Sequence, residues 1–223
     1  LPWKARTSPA RYLSFLPMNH VVEGILGAYS PTSMPAPVDI FFLEDFHALA
    51  RVLPAVRPTV FFSVPRFYEK AWDSFEKSPA GRLFLSLPRR GFGGGVRRTL
   101  RPLLRASFLW RAGLDRCAQL IVGSAPCQDS LLESFRELGI EIHNAYGLTE
   151  APLVTLNRQG ANHLGTLGLP LPETELKLAP DGELLVRGPQ VTAGYFGGSG
   201  ETLLRDGWFC TGDLGEINPE GEL

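Results

Sequence analysis

The stretch QLIVGSAPCQDSLLESFRELGIEIHN, residues 119–144, decides the fold. Gln119–Val122 is a short apolar run bounded by Gly123 and Pro126, the pattern of a buried strand. Leu131, Leu132, Phe135 and Leu138 then fall on one helical face, and Gly139 stands where a glycine closes a helix. Residues 140–144 read as the next strand. Strands alternating with helices of this length predict an α/β fold: a parallel or mixed sheet flanked by helices.

The same alternation extends upstream. Residues 12–16 read as a strand stopped by Pro17, and residues 38–43 and 59–64 are apolar runs rich in Val and Phe. Residues 45–53 predict a helix that Pro54 ends, and Pro65 opens another whose Phe67, Ala71 and Phe75 share a face. Downstream the pattern changes. Residues 175–179 and 183–187 alternate in strand fashion around Pro180-Asp181-Gly182, a turn sequence. Gly188, Gly194, Gly197, Gly198 and Gly200 punctuate the chain beyond them. This part reads as a small β-barrel-like subdomain or a strongly twisted sheet. The expected domains are therefore 1–160 (α/β) and 161–223 (β-rich), with no internal repeat.

Composition bounds the function. The 223 residues are 44% hydrophobic and 20% charged with a net charge of −1, which excludes a disordered chain and a uniformly basic nucleic-acid binder. No apolar run approaches a bilayer span. Cys117, Cys127 and Cys210 lack metal-site spacing and read as reduced, buried thiols of a cytoplasmic protein. Charge is unevenly spread: residues 82–116 hold nine arginines against Asp115 alone. Leu100, Leu103, Leu104, Phe108 and Trp110 interleave with them, and Pro102 interrupts the pattern. Such a segment suits peripheral contact with a membrane or a polyanion; the other reading is a solvated face of snorkelling arginines.

The chemistry concentrates in three places. Asn144-Ala145-Tyr146-Gly147-Leu148-Thr149-Glu150 offers a ring that can stack on a nucleobase, a hydroxyl for a phosphate oxygen and a hard carboxylate for Mg²⁺. Gly123-Ser124-Ala125-Pro126 supplies small residues past which a flat ring can slide. Asp213, after Thr211-Gly212, can accept both hydroxyls of a ribose. Ser124 is no hydrolase nucleophile, since Val122 and Pro126 stand where a nucleophile elbow has glycines. His47, His143 and His163 lack ligand spacing and read as structural.

These segments, with Gly182-Glu183-Leu184-Leu185-Val186-Arg187-Gly188 between them, resemble in order and spacing the adenylate-forming (AMP-binding) superfamily. Leu16-Pro17-Met18-Asn19-His20-Val21-Val22-Glu23 is similar to a segment of fatty-acyl-CoA synthetases. Residues 57–70, RPTVFFSVPRFYEK, resemble the long-chain branch. The resemblance implies an acid–thiol ligase that converts fatty acid and ATP to acyl-adenylate, then to acyl-CoA with CoA as co-substrate. It implies that Tyr146 stacks on adenine, with Ala145 and Gly147 beside it, while Asn144 bonds the base amine. Ser124, Ala125 and Pro126 would cover the other side of the ring. Thr149 would contact the α-phosphate, Glu150 hold Mg²⁺, Asp213 grip the ribose, and His20 lie near the carboxylate and thiol path. The family's phosphate loop ending in Lys-Gly and its lysine-bearing C-terminal domain do not occur within the 223 residues, and Gly91-Phe92-Gly93-Gly94-Gly95 reads as a mobile loop rather than a substitute. Both ends read as cuts inside a longer protein, so the chain alone is expected to be catalytically incomplete. The alternatives are a ligase that loads a carrier protein or uses another carboxylic acid, and a non-catalytic nucleotide- or acyl-binding remnant.

Overall fold

The computed structural model describes residues 9–33, 37–89, 91–197 and 204–223, so Arg90, Gly198 and Gly200 lie outside it. Contacts divide the chain into two compact units, Leu1–Ile142 and His143–Leu223. Composition places the change near 160. The contacts place it earlier because residues 143–170 pair among themselves and with the C-terminal residues.

In the first unit β1 (Ala10–Ser14) and β2 (Val38–Phe42) pair in parallel, Ala10 opposite Val38. Between them runs α1 (Val21–Glu23), a π-helical stretch Gly24–Tyr29, and α2 (Ser30–Ser33). A 3₁₀ turn, Phe46–Ala48, leads into α3 (Leu49–Val56). Pro54 does not end this helix. It sits in the last turn, where its missing N–H removes a single bond, and Arg57 N–H closes the helix on the Leu53 carbonyl at 2.8 Å.

β3 (Val60–Ser63) and β4 (Gln119–Val122) are the second parallel pair, Val60 opposite Gln119. Their connection holds α4 (Pro65–Lys77), α5 (Pro79–Ser86) and α6 (Gly91–Ala112), and α7 (Asp129–Leu138) follows β4. The buried residues of α4 are Pro65, Tyr68, Trp72 and Phe75 rather than the predicted Phe67, Ala71 and Phe75 face; Phe67 and Ala71 are half-buried. Phe135 of α7 lies 5.0 Å from Trp72 and 5.5 Å from Phe108, which joins α4, α6 and α7 through one aromatic cluster. α6 includes the Gly91–Gly95 stretch and runs unbroken through Pro102, two departures from expectation. A Cβ at Gly94 would come within 2.8 Å of the Arg89 carbonyl oxygen, so the helix start needs the missing side chain. Pro102 is exposed, and its ring costs one bond on the solvent side.

The cysteines are half-buried; burial, then Glu69 and Asp129, push the Cys127 thiol up to about 11, an unreactive thiol. Arg57, in the left-handed region at φ 51°, caps α3 and grips Asp115 with both prongs, Nε to Oδ1 at 2.9 Å. The guanidinium holds the Asp115 carboxyl below its usual range. A carboxyl depressed in the folded state adds stability above its unfolded pKa of about 3.9 and loses it as pH falls through the folded value. Asp115→Asn should therefore lower the thermal midpoint at pH 7 and lose that penalty at the acid end of a melting series. A midpoint difference that is the same at pH 7 and pH 3 would contradict the pair's role.

In the second unit β5 (Ile142–Tyr146), β6 (Thr155–Leu156) and β7 (Leu169–Pro170) pair antiparallel in that order. β8 (Glu175–Leu178) and β9 (Glu183–Arg187) form the predicted hairpin, extended by β11 (Trp208–Leu214) and β10 (Leu204–Arg205). Among the described residues this is an open four-stranded antiparallel sheet, not a closed barrel. Ala151, Val154, Leu184 and Val186 form its core. Residues 219–223 make a turn at Gly221, after which Leu223 exchanges backbone bonds with Leu167 and Gly168.

Candidate functional site

The loop joining β5 to β6 carries Tyr-Gly-Leu-Thr-Glu. It is closed by Val154 N–H on the Tyr146 carbonyl (2.8 Å) and Leu148 N–H on the Ala151 carbonyl (3.0 Å). Asn144 and Ala145 are buried in β5, Tyr146 is half-buried, and Thr149 is exposed at the loop tip. Gly147 is required by space: a Cβ there would stand 2.3 Å from the Pro152 carbonyl oxygen.

Thr-Gly-Asp falls where the β11–β9 ladder shifts register between Cys210 and Leu214. Thr211 Oγ1 donates to the Leu184 carbonyl (2.8 Å) and accepts from Asp213 N–H (3.1 Å), while Gly212 N–H donates to Glu183 Oε1 (2.8 Å). This bulge re-aims Asp213 out of the ladder, as bulges do beside sites. The outcome joins two predicted residues: the Tyr146 hydroxyl donates to Asp213 Oδ2 at 2.5 Å. Burial, reinforced by Asp213, pushes the Tyr146 phenol up, so it stays a neutral donor. Tyr146 and Asp213, with Leu184, Leu214, Glu216 and Leu223, line an open cavity of about 410 Å³. That volume lies in the range of small-ligand sites.

Glu150 is held by Thr192 and Tyr195. Thr192 N–H donates to its carbonyl (2.7 Å), and the exposed Tyr195 hydroxyl donates to its Oε1. That hydrogen bond raises the Tyr195 phenol pKa. Among the described residues no three His, Cys, Asp or Glu gather as a metal cage. Mg²⁺ needs none, because it is usually bound through one or two carboxylates plus substrate phosphates and water. Glu150 fits that requirement as part of a nucleotide complex. Tyr195 and Thr211 had no assigned role in the sequence; their partners lie 45 and 27 residues away, beyond any local spacing signal.

The remaining predicted residues belong to the first unit. Ser124, at φ 63°, turns the chain out of β4 in a conformation uncommon for a non-glycine residue, and Ser124, Ala125 and Pro126 are exposed. His20 caps α1, its Nδ1 accepting from Val22 N–H at 3.2 Å; the neutral ring then carries its proton on Nε2. Fully buried Glu23 accepts from Phe15 and Leu16 N–H, each at 2.9 Å. The Leu-Pro-x-x-His-x-x-Glu segment thus folds onto itself through His20 and Glu23.

The arginine-rich segment has structural work. Arg97, only 11% exposed, bonds Glu137 at 2.8 Å and lies over the Phe84 ring, and Arg89 also pairs with Glu137. These placements give the membrane-contact expectation no support. No helix among the described residues is long and apolar enough to cross a membrane.

Residues 3–196 match the family model of the AMP-binding enzymes. The chain belongs to that family. It is 34% identical over 96% of its length to the long-chain-fatty-acid–CoA ligase FadD15 of Mycobacterium bovis, covering 38% of that protein. Against long-chain-fatty-acid–CoA ligase 6 of Homo sapiens it is 30% identical over 95% of its length, covering 34% of the relative. The chain therefore spans about two fifths or less of these relatives. Among solved structures, o-succinylbenzoate CoA synthetase from Bacillus subtilis in complex with ATP and magnesium ion superposes with a TM-score of 0.66. At 21% identity, over 96% of this chain and 40% of that one, this likeness shows the fold.

Proposed function

We propose that the protein supplies the adenine-, ribose- and acyl-handling part of an ATP-dependent long-chain fatty acid–CoA ligase of the cytoplasm. The observation that carries this reading is the Tyr146–Asp213 hydrogen bond at the mouth of a ligand-sized cavity. It puts an aromatic face beside a carboxylate, as a nucleoside needs. The long-chain ligases among the relatives support a fatty acid and CoA over other acids and carriers.

In the reaction, a carboxylate oxygen attacks the α-phosphorus of ATP and pyrophosphate leaves. The thiol sulfur of CoA then attacks the acyl carbon, AMP departs, and the thiol proton passes to solvent. Two anions meet in the first step, so positioned donors and cations must offset their repulsion. Tyr146 stacks on the base, Asn144 reads its amine, and Asp213 accepts from the ribose hydroxyls. Thr149 donates to the α-phosphate. Glu150 would hold Mg²⁺ together with the substrate phosphates, and the ion would supply positive charge against ATP. No protein nucleophile is required.

The test uses hexadecanoyl- and acetyl-sulfamoyl adenosine, unreactive analogues of the adenylate. Both should compete with AMP for the chain, the hexadecanoyl analogue at least tenfold more tightly, roughly the yield of burying a few methylenes. Equal affinities would overturn the long-chain assignment, and failure to compete with AMP the nucleotide assignment. Glu150→Gln should raise the Mg²⁺ concentration that half-saturates ATP binding about tenfold, the loss of one charge-assisted contact. An unaltered Mg²⁺ titration would remove Glu150 from the metal site.

A further inference from the structure

The segment after β9, Val191-Thr192-Ala193-Gly194-Tyr195, has no part in the nucleotide reading, yet it closes on the residue assigned to the metal. Val191 roots it: the side chain packs on the core of the second unit, and its N–H donates to the Gly188 carbonyl at 3.2 Å. Thr192 braces the turn that follows. Its Oγ1 donates to the Gly194 carbonyl at 3.2 Å and accepts from Gly194 N–H at 3.4 Å. Gly194 stands at φ 149°, a conformation that strains any residue with a side chain. The chain then runs out to Tyr195, which is 61% exposed. Burial does not hold such a residue in place; its hydroxyl, bonded to Glu150 Oε1, does.

Glu150 is thus gripped twice from one short segment, at its carbonyl by Thr192 N–H (2.7 Å) and at its carboxylate by the Tyr195 hydroxyl. The first contact sets where the backbone stands, the second where the carboxylate stands. A half-buried glutamate beside the exposed Thr149 would otherwise move among its rotamers, and ordering it on a ligand lowers affinity. A carboxylate has two oxygens with about four acceptor sites, so a hydroxyl on Oε1 leaves Oε2 to a hard cation. We infer that Tyr195 is a positioning residue: it holds the Glu150 carboxylate in the orientation that takes Mg²⁺ with the nucleotide phosphates. This role rests on the assignment of Glu150 to the metal, and Tyr195 acts through that carboxylate alone.

Equilibrium binding of ATP by the 223-residue chain along a Mg²⁺ series tests this role. Tyr195→Phe keeps the ring and removes the donor, and because Tyr195 is exposed the melting midpoint should not move. The Mg²⁺ concentration that half-saturates ATP binding should rise roughly three- to tenfold, the loss of one solvent-exposed hydrogen bond to a charged group. AMP affinity without Mg²⁺ should stay at that of the unmodified chain, which a general loosening of the loop would not allow. In a Glu150→Ala background the hydroxyl has no carboxylate to hold, so adding Tyr195→Phe should change nothing further. If Tyr195→Phe titrates like the unmodified chain while Glu150→Gln raises the Mg²⁺ requirement, the role of Tyr195 is overturned and the metal assignment stands. An unaltered titration in both variants would remove the metal assignment and the role with it. A lowered Mg²⁺ requirement in Tyr195→Phe would overturn the role by showing that the hydroxyl competes with the ion for the carboxylate. So would an AMP affinity that falls as far as that for ATP, or losses that add in the double variant.

Discussion

Asp213→Ala should weaken AMP binding about 100-fold while leaving the melting curve of the chain nearly unchanged. A carboxylate accepting from two ribose hydroxyls makes two charge-assisted bonds, each worth about 1.5–3 kcal/mol, and about 2.7 kcal/mol is a factor of 100. The fold should tolerate the change because Asp213 is exposed in a bulge whose backbone is held by Thr211 and Glu183, not by its own carboxylate. The Tyr146 hydroxyl also loses its acceptor in this variant, so Tyr146→Phe is the control. It removes the same hydrogen bond but keeps the ring and the carboxylate, and AMP affinity should fall only a few-fold. Tyr146→Ala removes the stacking face and should cost about 1–3 kcal/mol, or roughly 5- to 150-fold. An Asp213→Ala variant that binds AMP like the unmodified chain would end the ribose assignment. Equal losses in Tyr146→Phe and Asp213→Ala would show instead that the carboxylate serves to position the tyrosine.

The strands and hairpin legible in the sequence are those whose ends are set by local chemistry. Gln119–Val122 begins and ends where the apolar run does, and Pro180-Asp181-Gly182 fixes the β8–β9 pairing. Where two elements compete for the same residues, periodicity places them wrongly. β5 starts at Ile142 rather than 140 because Ile140 N–H is taken by the Phe135 carbonyl, part of the Gly139 cap of α7. Prolines mislead for a related reason: at Pro54 and Pro102 the cost is one bond, and packing on either side keeps the helix. The site was readable as a list of residue types, and Tyr146 and Asp213 do meet. Their meeting depends on a strand pairing and a bulge that bring together residues 67 apart, which no spacing rule contains. His20 and Glu23 were legible as a motif, but their hydrogen bonds to the segment's own backbone were not.

Gly147→Ala should lower AMP affinity by at least tenfold and destabilise the second unit by about 1–3 kcal/mol, the usual cost of overpacking. Gly147 is not in the left-handed region, so backbone freedom is not the issue. The obstacle is contact: a methyl would lie 2.3 Å from the Pro152 carbonyl oxygen and 3.0 Å from that of Ala151. Neither is the end of a flexible side chain, and both belong to the loop that Val154 N–H and Leu148 N–H hold closed. Relief must therefore come from spreading the loop. Ala151 and Val154 of that loop are core residues, so spreading loosens the packing around Leu184 and Val186. The same movement carries Tyr146 at one end and Glu150 near the tip, so the base-stacking ring and the metal-binding carboxylate lose their positions together. Paired melting curves and AMP titrations check both consequences. A lowered midpoint with unchanged AMP affinity would separate the loop's packing from ligand binding and argue that Tyr146 does not touch the base. Loss of affinity that Gly147→Ser reproduces, with Mg²⁺ dependence altered in parallel, is the result expected if one loop serves both ligands.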